Sequence, residues 1–279
     1  MILVTGATGH VGRHIVSGLL EAGGKVRALS RNPGSRPWPA GVEVVPRDLK
    51  QPGTLAAALG GVESMYLFPV FGAVPEAVEA ARRAGVKHVV MLSSQAIEYS
   101  EGEPHQACEE AVSASGMSWT FVRTGALMVN DLHWAGQFAG EGVVRGAYGM
   151  SPLAPIDERD IAAVVVRSLL DPRSGTVHTV TGPQSLTQVE RVGIASRVLG
   201  RTARFEELPR EHVRQQMTAH LPPALVDELL DHRASLVGTT AEVLPTVERV
   251  TGRAPYTYAE WLAYHEADFR PAGQAADGH

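Results

Sequence analysis

The first twelve residues run from a short apolar segment straight into a turn rich in glycine. Residues 1–5 predict a β-strand, and a helical pattern begins at about Val11. Between them stand Gly6, Gly9 and Gly12. Glycines at this spacing permit a tight turn, let the backbone approach a pyrophosphate and let the helix pack closely on the strand.

This turn predicts a dinucleotide-binding site, because the free N–H groups at the start of the helix would face the phosphates. The alternative is a tight strand–helix turn that binds no ligand. The residues expected to contact the cofactor are Gly6, Thr8, Gly9, His10, Val11 and Gly12.

The second predicted strand, residues 25–30, ends at an arginine and not at an acid. NAD sites usually place Asp or Glu there to bind the ribose hydroxyls, but no acidic residue stands between Glu21 and Glu43. Arg31 stands where a 2′-phosphate would lie, and Arg36 follows closely. A guanidinium can pair bidentately with that phosphate, so NADP(H) is favoured over NAD(H). The alternative is that Arg31 is an ordinary solvated loop charge.

Composition narrows the partners and the compartment. The net charge is −5 over 279 residues, and acids and bases are mixed without a basic stripe, which argues against nucleic acid. No apolar run is long enough to span a membrane, and no signal peptide precedes the first strand. Cys108 is the only cysteine, which fits a reducing cytoplasm and excludes an intrachain disulfide. Eleven scattered histidines give no reason to expect a metal site.

The rest of the first half alternates short apolar segments with helical patterns. Strands are predicted near residues 1–5, 25–30, 42–46, 64–68, 87–93 and 118–122. Helices are predicted near residues 11–22, 53–59, 75–84 and 104–115. Strands that alternate with helices indicate an α/β fold with a doubly wound, Rossmann-type parallel sheet.

The second half is less regular. A helix is predicted over residues 158–170, a strand near 176–180 and a further strand near 203–208. Thr187 and Glu190 have the capping-box spacing at the start of another helix. We expect residues 1–150 to form the NAD(P)-binding domain, residues 151–270 to form a smaller, mostly helical lobe packed on it, and residues 271–279 to form a flexible tail.

Several short motifs resemble the NmrA-like group of atypical short-chain dehydrogenases/reductases, and the resemblance covers nearly the whole chain. The motifs are the TGATGHVG turn, Arg31-Asn32-Pro33, Asp48-Leu49, Leu92-Ser93-Ser94, Phe121-Val122-Arg123, residues 157–162, Thr181-Gly182-Pro183 and Thr251-Gly252-Arg253. This group includes NAD(P)H:quinone oxidoreductases, azoreductase-like proteins and redox-sensing regulators.

The resemblance implies further cofactor contacts. Asp48 and Leu49 would bracket the adenine, and the cofactor path would be lined by Leu67, Phe68, Pro69, Ser93 and Ser94. These residues follow predicted parallel strands, where ligands bind in open α/β sheets. The alternatives are that Asp48 caps a local turn and that the two serines cap the next helix.

The sequence lacks the dyad that ordinary members of the superfamily use for catalysis. That dyad is Tyr-x-x-x-Lys, in which the tyrosine donates the proton and the lysine lowers its pKa. The lysines here are Lys25, Lys50 and Lys87, and none follows the fifth strand. His105 falls close to the usual place of the tyrosine, and the resemblance implies a histidine there in quinone reductases of this group. Imidazole can transfer a proton near neutral pH; the alternative is a surface histidine near a helix N-terminus.

A substrate pocket is expected between the nicotinamide end of the cofactor and the C-terminal lobe. Its candidate lining residues are Phe71, Met128, Asn130, Trp134 and Tyr148. Aromatic and methionine side chains would suit a flat apolar ring. The alternative is packing between lobe and domain, which is favoured for Trp134 and for Phe138 one helical turn later.

Three functions fit these observations. The first is an NADPH-dependent reductase of quinones or related aromatic or polycyclic carbonyl compounds. The second is a non-catalytic NADP(H) sensor that binds a partner protein, which the missing dyad would allow. The third is a cofactor-binding isomerase, dehydratase or cyclase of specialised metabolism. We expect a small-molecule substrate, and a homodimer stays an open alternative to a monomer.

Overall fold

The computed structural model describes residues 1–35, 37–51, 54–98 and 103–270. The strands in chain order are β1 (Ile2–Val4), β2 (Val26–Ser30), β3 (Val42–Pro46), β4 (Ser64–Leu67), β5 (His88–Ser94), β6 (Ser118–Thr124), β7 (Val143–Gly146), β8 (Pro152–Leu153), β9 (Thr176–Val180), β10 (Leu186–Thr187) and β11 (Arg204–Glu207). The helices are α1 (His10–Glu21), α2 (Ala56–Leu59), α3 (Val74–Arg83), α4 (Glu103–Ser113), α5 (Ala135–Ala139), α6 (Glu158–Leu170), α7 (Gln188–Val198), α8 (Arg210–Thr218), α9 (Pro223–Ser235), α10 (Thr246–Thr251) and α11 (Tyr258–Tyr264).

The central sheet has seven strands in the order β3-β2-β1-β4-β5-β6-β9, and every neighbouring pair is parallel. The strand order reverses next to β1, because the chain moves from β1 outward to β2 and β3 and then returns to β4. This is a doubly wound Rossmann-type sheet, and ligands bind at the carboxyl ends of its strands beside the reversal. The predicted fold class is confirmed.

The two faces of the sheet bury alternate residues of the same strands. On one face, Met65, Leu67 and Met91 pack in a cluster with apolar residues of α3 and α4. The intervening residues, such as Tyr66 and Val90, are also fully buried and must face the other side. Helices α1 and α6 contact each other, and α6 also contacts β4, β5 and β6.

The chain divides into two compact units that alternate along the sequence. The first unit comprises residues 1–125, 158–180 and 245–253, and the second comprises residues 126–157, 181–244 and 254–279. This division differs from the single boundary expected near residue 150. The reason is that α6, β9 and α10, although late in the chain, complete the sheet and its helical cover in the first unit.

The second unit contains two short two-stranded sheets. Strand β7 pairs in parallel with β11, and β8 pairs antiparallel with β10. Helix α7 begins with the predicted capping box, in which Glu190 N donates to the Thr187 side chain at 3.1 Å. The buried core of this unit is formed mainly by aromatic and aliphatic side chains of residues 128–144, α7 and α11.

The predicted elements before residue 125 and those at 158–170, 176–180 and 203–208 are found within a few residues of their expected bounds. The sequence did not predict α5, β7, β8 or β10, which have two to five residues and so show no periodicity. The tail expected at residues 271–279 lies outside the described residues. Within the described chain, the helices are too short and too polar to cross a membrane.

Candidate active site

The glycine turn lies at the carboxyl end of β1 and is tied to the neighbouring strand. The hydroxyl of Thr5 donates to the carbonyl of Tyr66 at 3.1 Å and accepts from the N–H of Phe68 at 2.7 Å. Gly6 has a φ of +60°, and a Cβ on it would lie 3.0 Å from Cβ of Phe68. The turn is therefore fixed in a conformation that requires glycine at this position.

Helix α1 packs against this turn more closely than any side chain would allow. A Cβ on Gly12 would lie 2.1 Å from the carbonyl oxygen of Gly6. The helix starts after Gly9, which has no side chain to cap the first turn, and that turn contains no acidic residue. Gly9 and His10 are exposed beside the helix start. An exposed helix N-terminus that begins at glycine fits an anionic phosphate, because its N–H groups and dipole favour negative charge.

The structure places Arg31 next to this turn. Val4 pairs with Ala28, so the carboxyl end of β2 lies beside the carboxyl end of β1. Arg31 is exposed. Arg13 contacts Glu158 at 3.5 Å, an acid that is fully buried. Arg36 lies outside the described residues.

Four of the predicted cofactor residues have buried side chains. Val11, Leu49 and Leu67 are between 0 % and 7 % exposed, so their side chains pack in the interior and only their backbone can face a ligand. Ser93 is 2 % exposed. Asp48 is partly exposed and accepts from the N–H of Lys50 at 3.0 Å, as expected for a residue that caps its own turn.

Ser93 and Ser94 end β5 and have different partners. The hydroxyl of Ser93 donates to Oε1 of Glu109 at 2.6 Å. The hydroxyl of Ser94 accepts from the N–H of Ala96 at 3.1 Å and so caps the short 3₁₀ helix that follows. Each of the two hydroxyls therefore has a hydrogen-bond partner within the protein.

His105 lies on α4 against an aromatic side chain. Its ring meets the ring of Phe71 edge to face, with centroids 4.8 Å apart and planes at 86°. Its Nδ1 is buried and has no hydrogen-bond partner among the described residues. Burial lowers the pKa of His105, and the negative charge of Glu109 partly opposes this effect.

Two aromatic side chains are exposed in the segment that leaves β4. Phe68 is 44 % exposed and Phe71 is 53 % exposed, whereas most phenylalanines of a folded chain are buried. Pro69 lies between them and is partly exposed. Because this segment follows β4, it belongs to the carboxyl edge of the sheet, where Phe68 also contacts the glycine turn.

The carboxylate of Glu109 and the guanidinium of Arg123 lie at the same edge of the sheet and were not among the predicted site residues. Glu109 is 7 % exposed, and Arg123 donates to both of its oxygens at 2.9 and 2.6 Å. Ser93 and Arg123 are register partners on β5 and β6. The available signal was spacing, because Glu109 follows His105 by four residues and so lies on the same side of α4.

In the second unit, the side chains of Met128 and Trp134 are buried, which for Trp134 agrees with the packing alternative favoured from the sequence. They are 1 % and 2 % exposed and pack in the buried core of that unit together with Phe138. Their side chains are therefore part of the hydrophobic core and not of a ligand-binding surface. Asn130 is exposed, and its carbonyl accepts from Nδ1 of His133.

Tyr148 has an unusual backbone. It is the non-glycine residue with positive φ, +58°, in the described part of the chain. The carboxylate of Glu207 accepts from the N–H groups of Tyr148 and Gly149, at 2.5 and 2.9 Å, and Arg210 donates to the tyrosine hydroxyl at 3.3 Å. Such strain often marks a functional position, so Tyr148 stays a candidate for contact with a substrate.

The second unit also contains a buried ion pair. Nη1 of Arg191 donates to the Asp131 carboxylate at 2.5 and 2.7 Å, and both side chains are at most 5 % exposed. The hydroxyl of Tyr258 donates to the same carboxylate at 2.8 Å. The guanidinium lies 5.0 Å from the ring centroid of Trp134. This cluster fills the core and reaches no exposed surface.

Two other features carry no comparable chemistry. A groove of about 770 Å³ runs along α2 and α3 and is lined by two acids, Glu76 and Glu79, of which Glu79 is already paired with Arg82 and Arg83. His10 and His14 stand four residues apart on α1, yet the described residues contain no group of three side chains that could hold a metal ion.

Comparisons with known proteins agree with this geometry. The (4-alkanoyl-5-oxo-2,5-dihydrofuran-3-yl)methyl phosphate reductase of Streptomyces griseus subsp. griseus is 39 % identical, over 97 % of this chain and 100 % of the relative. The NAD(P)H azoreductase of Xenophilus azovorans is 37 % identical, over 98 % and 100 %. The crystal structure of the NADPH-dependent quinone oxidoreductase QOR2 of Escherichia coli has a TM-score of 0.79 and 25 % identity, over 95 % of this chain and 99 % of that one.

These three proteins match over almost their whole length and are named reductases or oxidoreductases, so the expectation of an oxidoreductase with a Rossmann-type fold is confirmed. The NmrA-like family matches residues 1–262, and the chain belongs to that family.

Proposed function

We propose that this protein is an NADPH-dependent reductase that transfers a hydride to quinones or related aromatic or polycyclic carbonyl compounds. The proposal is carried by the segment that leaves β4, in which Phe68 contacts the glycine turn and Phe71 contacts the ring of His105. Two relatives support it, because one is named an azoreductase and one a quinone oxidoreductase. Azo compounds and quinones are both electron-poor conjugated acceptors.

The cofactor would be held by the residues of the first unit. The turn from Gly6 to Gly12 and the start of α1 would bind the pyrophosphate, and Arg31 would pair with the 2′-phosphate, which favours NADP(H) over NAD(H). Asp48 and the backbone of Leu49 would lie beside the adenine. When bound, NADPH supplies the hydride. The relatives named for NAD(P)H or NADPH support this cofactor.

The two exposed phenylalanines are suited to a flat acceptor. An aromatic ring gains both apolar burial and a specific offset or edge contact when it packs on another ring. Phe71 already makes such an edge contact with His105. A quinone that packs against Phe68 and Phe71 would therefore also meet the imidazole.

Reduction of a quinone to a hydroquinone takes one hydride and one proton. We assign delivery of the proton to His105: its N–H bond breaks, an O–H bond forms on the reduced quinone, and the imidazole then regains a proton from water. No lysine stands four residues after a tyrosine in this chain, so the tyrosine–lysine dyad cannot supply that proton.

Turnover tests the proposal directly. We would follow NADPH oxidation by the purified protein with a panel of benzoquinones and naphthoquinones, and run NADH in parallel. We expect quinone-dependent oxidation with a preference for NADPH. Failure with every quinone would reject quinones as the substrates of this reductase.

The 2′-phosphate assignment has its own test. Arg31→Ala should weaken NADPH binding by about 10- to 100-fold, because a charge-assisted pair contributes about 1.5–3 kcal/mol. Binding of NADH should change little. Arg83→Ala, which removes an exposed charge from α3, is the matched control. Equal weakening of both cofactors by Arg31→Ala, measured by fluorescence titration, would reject the assignment.

A further inference from the structure

Glu109 connects α4 to two strands of the central sheet. It accepts from Ser93 at the end of β5 and from Arg123 on β6, and these two donors are neighbours in the register of the sheet. The contacts are at 2.6, 2.9 and 2.6 Å, in the range of strong charge-assisted hydrogen bonds. The carboxylate is therefore held in one place, on the side of α4 that carries His105.

His105 and Glu109 have the spacing of the tyrosine and lysine that this chain lacks. A tyrosine has a pKa near 10, so a neighbouring cation helps it to donate a proton at neutral pH. A buried imidazole has the opposite need, because burial pushes its pKa below 6.5 and a neighbouring anion restores it. His105 at the tyrosine position therefore calls for an anion, and Glu109 supplies one at the lysine position.

We propose that Glu109 is a positioning residue for His105: it anchors α4 to β5 and β6 through Ser93 and Arg123, and its negative charge favours the protonated imidazole. This inference rests on the proposed function, in which His105 gives a proton to the reduced acceptor. Glu109 forms and breaks no covalent bond itself.

Among the described residues, the other groups around His105 supply no negative charge that could replace that of Glu109. Phe71 is uncharged, and Ser93 is a neutral hydroxyl. The pKa of the Cys108 thiol is raised by burial, so that thiol is neutral near pH 7. Arg123 on β6 is the nearest cation to Glu109 and is paired with it.

Helix α3 packs on α4 and also carries charges, which are Glu76, Glu79, Arg82 and Arg83. Of these, Glu79 is ion-paired with both arginines. Glu109 is the charge that acts on the pKa of His105.

The test is the titration of His105 in the full-length protein, followed by NMR of the histidine side chains without cofactor. His105→Gln identifies the signal. In Glu109→Gln we expect His105 to titrate at lower pH than in the unmodified protein. Glu110→Gln is the matched control, because Glu110 is the next residue of α4, is exposed, and its carboxylate accepts from Gln106; the substitution should leave the titration unchanged.

Arg123→Gln gives a second and opposite expectation. It leaves the Glu109 charge uncompensated, so His105 should titrate at higher pH. If Glu109→Gln does not fold because Arg123 loses its partner, the double variant Glu109→Gln with Arg123→Gln removes both charges, and His105 should then titrate at lower pH. An unchanged His105 titration in whichever of these folds would overturn the inference.

The same variants are then assayed with quinone across pH. The alkaline fall of kcat/KM should move to lower pH in Glu109→Gln, whereas a purely structural role would reduce the rate equally at every pH. Failure of the proposed function is a different result, because the unmodified protein would then oxidise no NADPH while the NMR titration still responded to Glu109.

Discussion

The two units each bury a carboxylate paired with an arginine, but the surroundings of the two pairs differ. Asp131 and Arg191 are almost completely enclosed, and their third partner is the buried hydroxyl of Tyr258. The Glu109 side chain is 10 % exposed and that of Arg123 is 22 % exposed, and this pair lies at the edge of the sheet where ligands bind in such folds.

The difference shows how one interaction can serve two purposes. A fully buried ion pair contributes little net stability, but loss of one partner leaves a charge without solvent and is strongly destabilising. The partly exposed pair can lose a partner at lower cost, because water reaches the remaining group. The Asp131 pair therefore maintains the core, whereas the Glu109 pair is free to act on His105.

The largest expected effect comes from the enclosed pair. Asp131→Asn should lower the free energy of unfolding by about 3–5 kcal/mol, because the buried Arg191 charge loses its counter-ion. Glu109→Gln should lower it by about 1–2 kcal/mol. Urea unfolding measures both, with Asp171→Asn as control because its pair with Arg173 is exposed and should matter little. Equal losses for Asp131→Asn and Glu109→Gln would contradict the distinction between the pairs.

A smaller effect is expected from a histidine buried without any counter-ion. His88 is 2 % exposed, its Nδ1 contacts the hydroxyl of Ser118 at 2.9 Å, and burial lowers its pKa. The unfolded chain then binds more protons than the folded one as the pH falls below about 6.5. Stability should thus be level above that pH and should fall below it, with the same direction from His105 and His178.

Urea unfolding at several pH values from about 7.5 to about 5, a range that spans the ordinary pKa of histidine, measures the slope of the free energy of unfolding against pH. His88→Gln should reduce it, whereas His220→Gln removes an exposed histidine and should not. A slope that is the same in both variants would show that the pKa of His88 is not lowered in the folded protein.

The smallest effect concerns a buried hydroxyl that has no partner. Tyr66 is fully buried in β4, and its Oη makes no hydrogen bond within the described chain. Tyr66→Phe should raise the free energy of unfolding by about 1 kcal/mol, because the cost of desolvating the hydroxyl disappears. Tyr258→Phe is the matched opposite, since that hydroxyl donates to Asp131 and its loss should destabilise by about 1 kcal/mol. Thermal unfolding that moves in the same direction for both would contradict this reading.

The sheet could be predicted from the sequence because its strands are apolar runs between glycine and helix signals. The bounds expected for β3, α6 and β9 agree with the structure to the residue. The small sheet of β8 and β10 could not, because each strand is stabilised by long-range pairing of two residues and leaves no local pattern. Sequence patterns within single segments also could not show that α6, β9 and α10 belong to the first unit.

The candidate site was predictable where the backbone imposes the residue type. Gly6 and Gly12 are required by a positive φ and by a close approach, and both constraints are visible in the sequence. Met128 was not, because an apolar side chain looks the same whether it packs in a core or faces a ligand, whereas packing was already the favoured alternative for Trp134. The preference for NADP(H) agrees with the relatives, whereas the roles of His105 and Tyr148, a homodimer and a cytoplasmic location stay predictions.

The discontinuity of the first unit has a consequence for its synthesis and for attempts to divide the chain. Strand β9 covers the outer edge of β6, and Arg253 contacts the fully buried Asp160 at 2.7 Å. A fragment ending near residue 150 would expose the hydrogen-bonding edge of β6, which invites aggregation. The ribosome must likewise release the chain through about residue 253 before this unit can close, so a truncation before that residue also removes part of the nucleotide-binding unit.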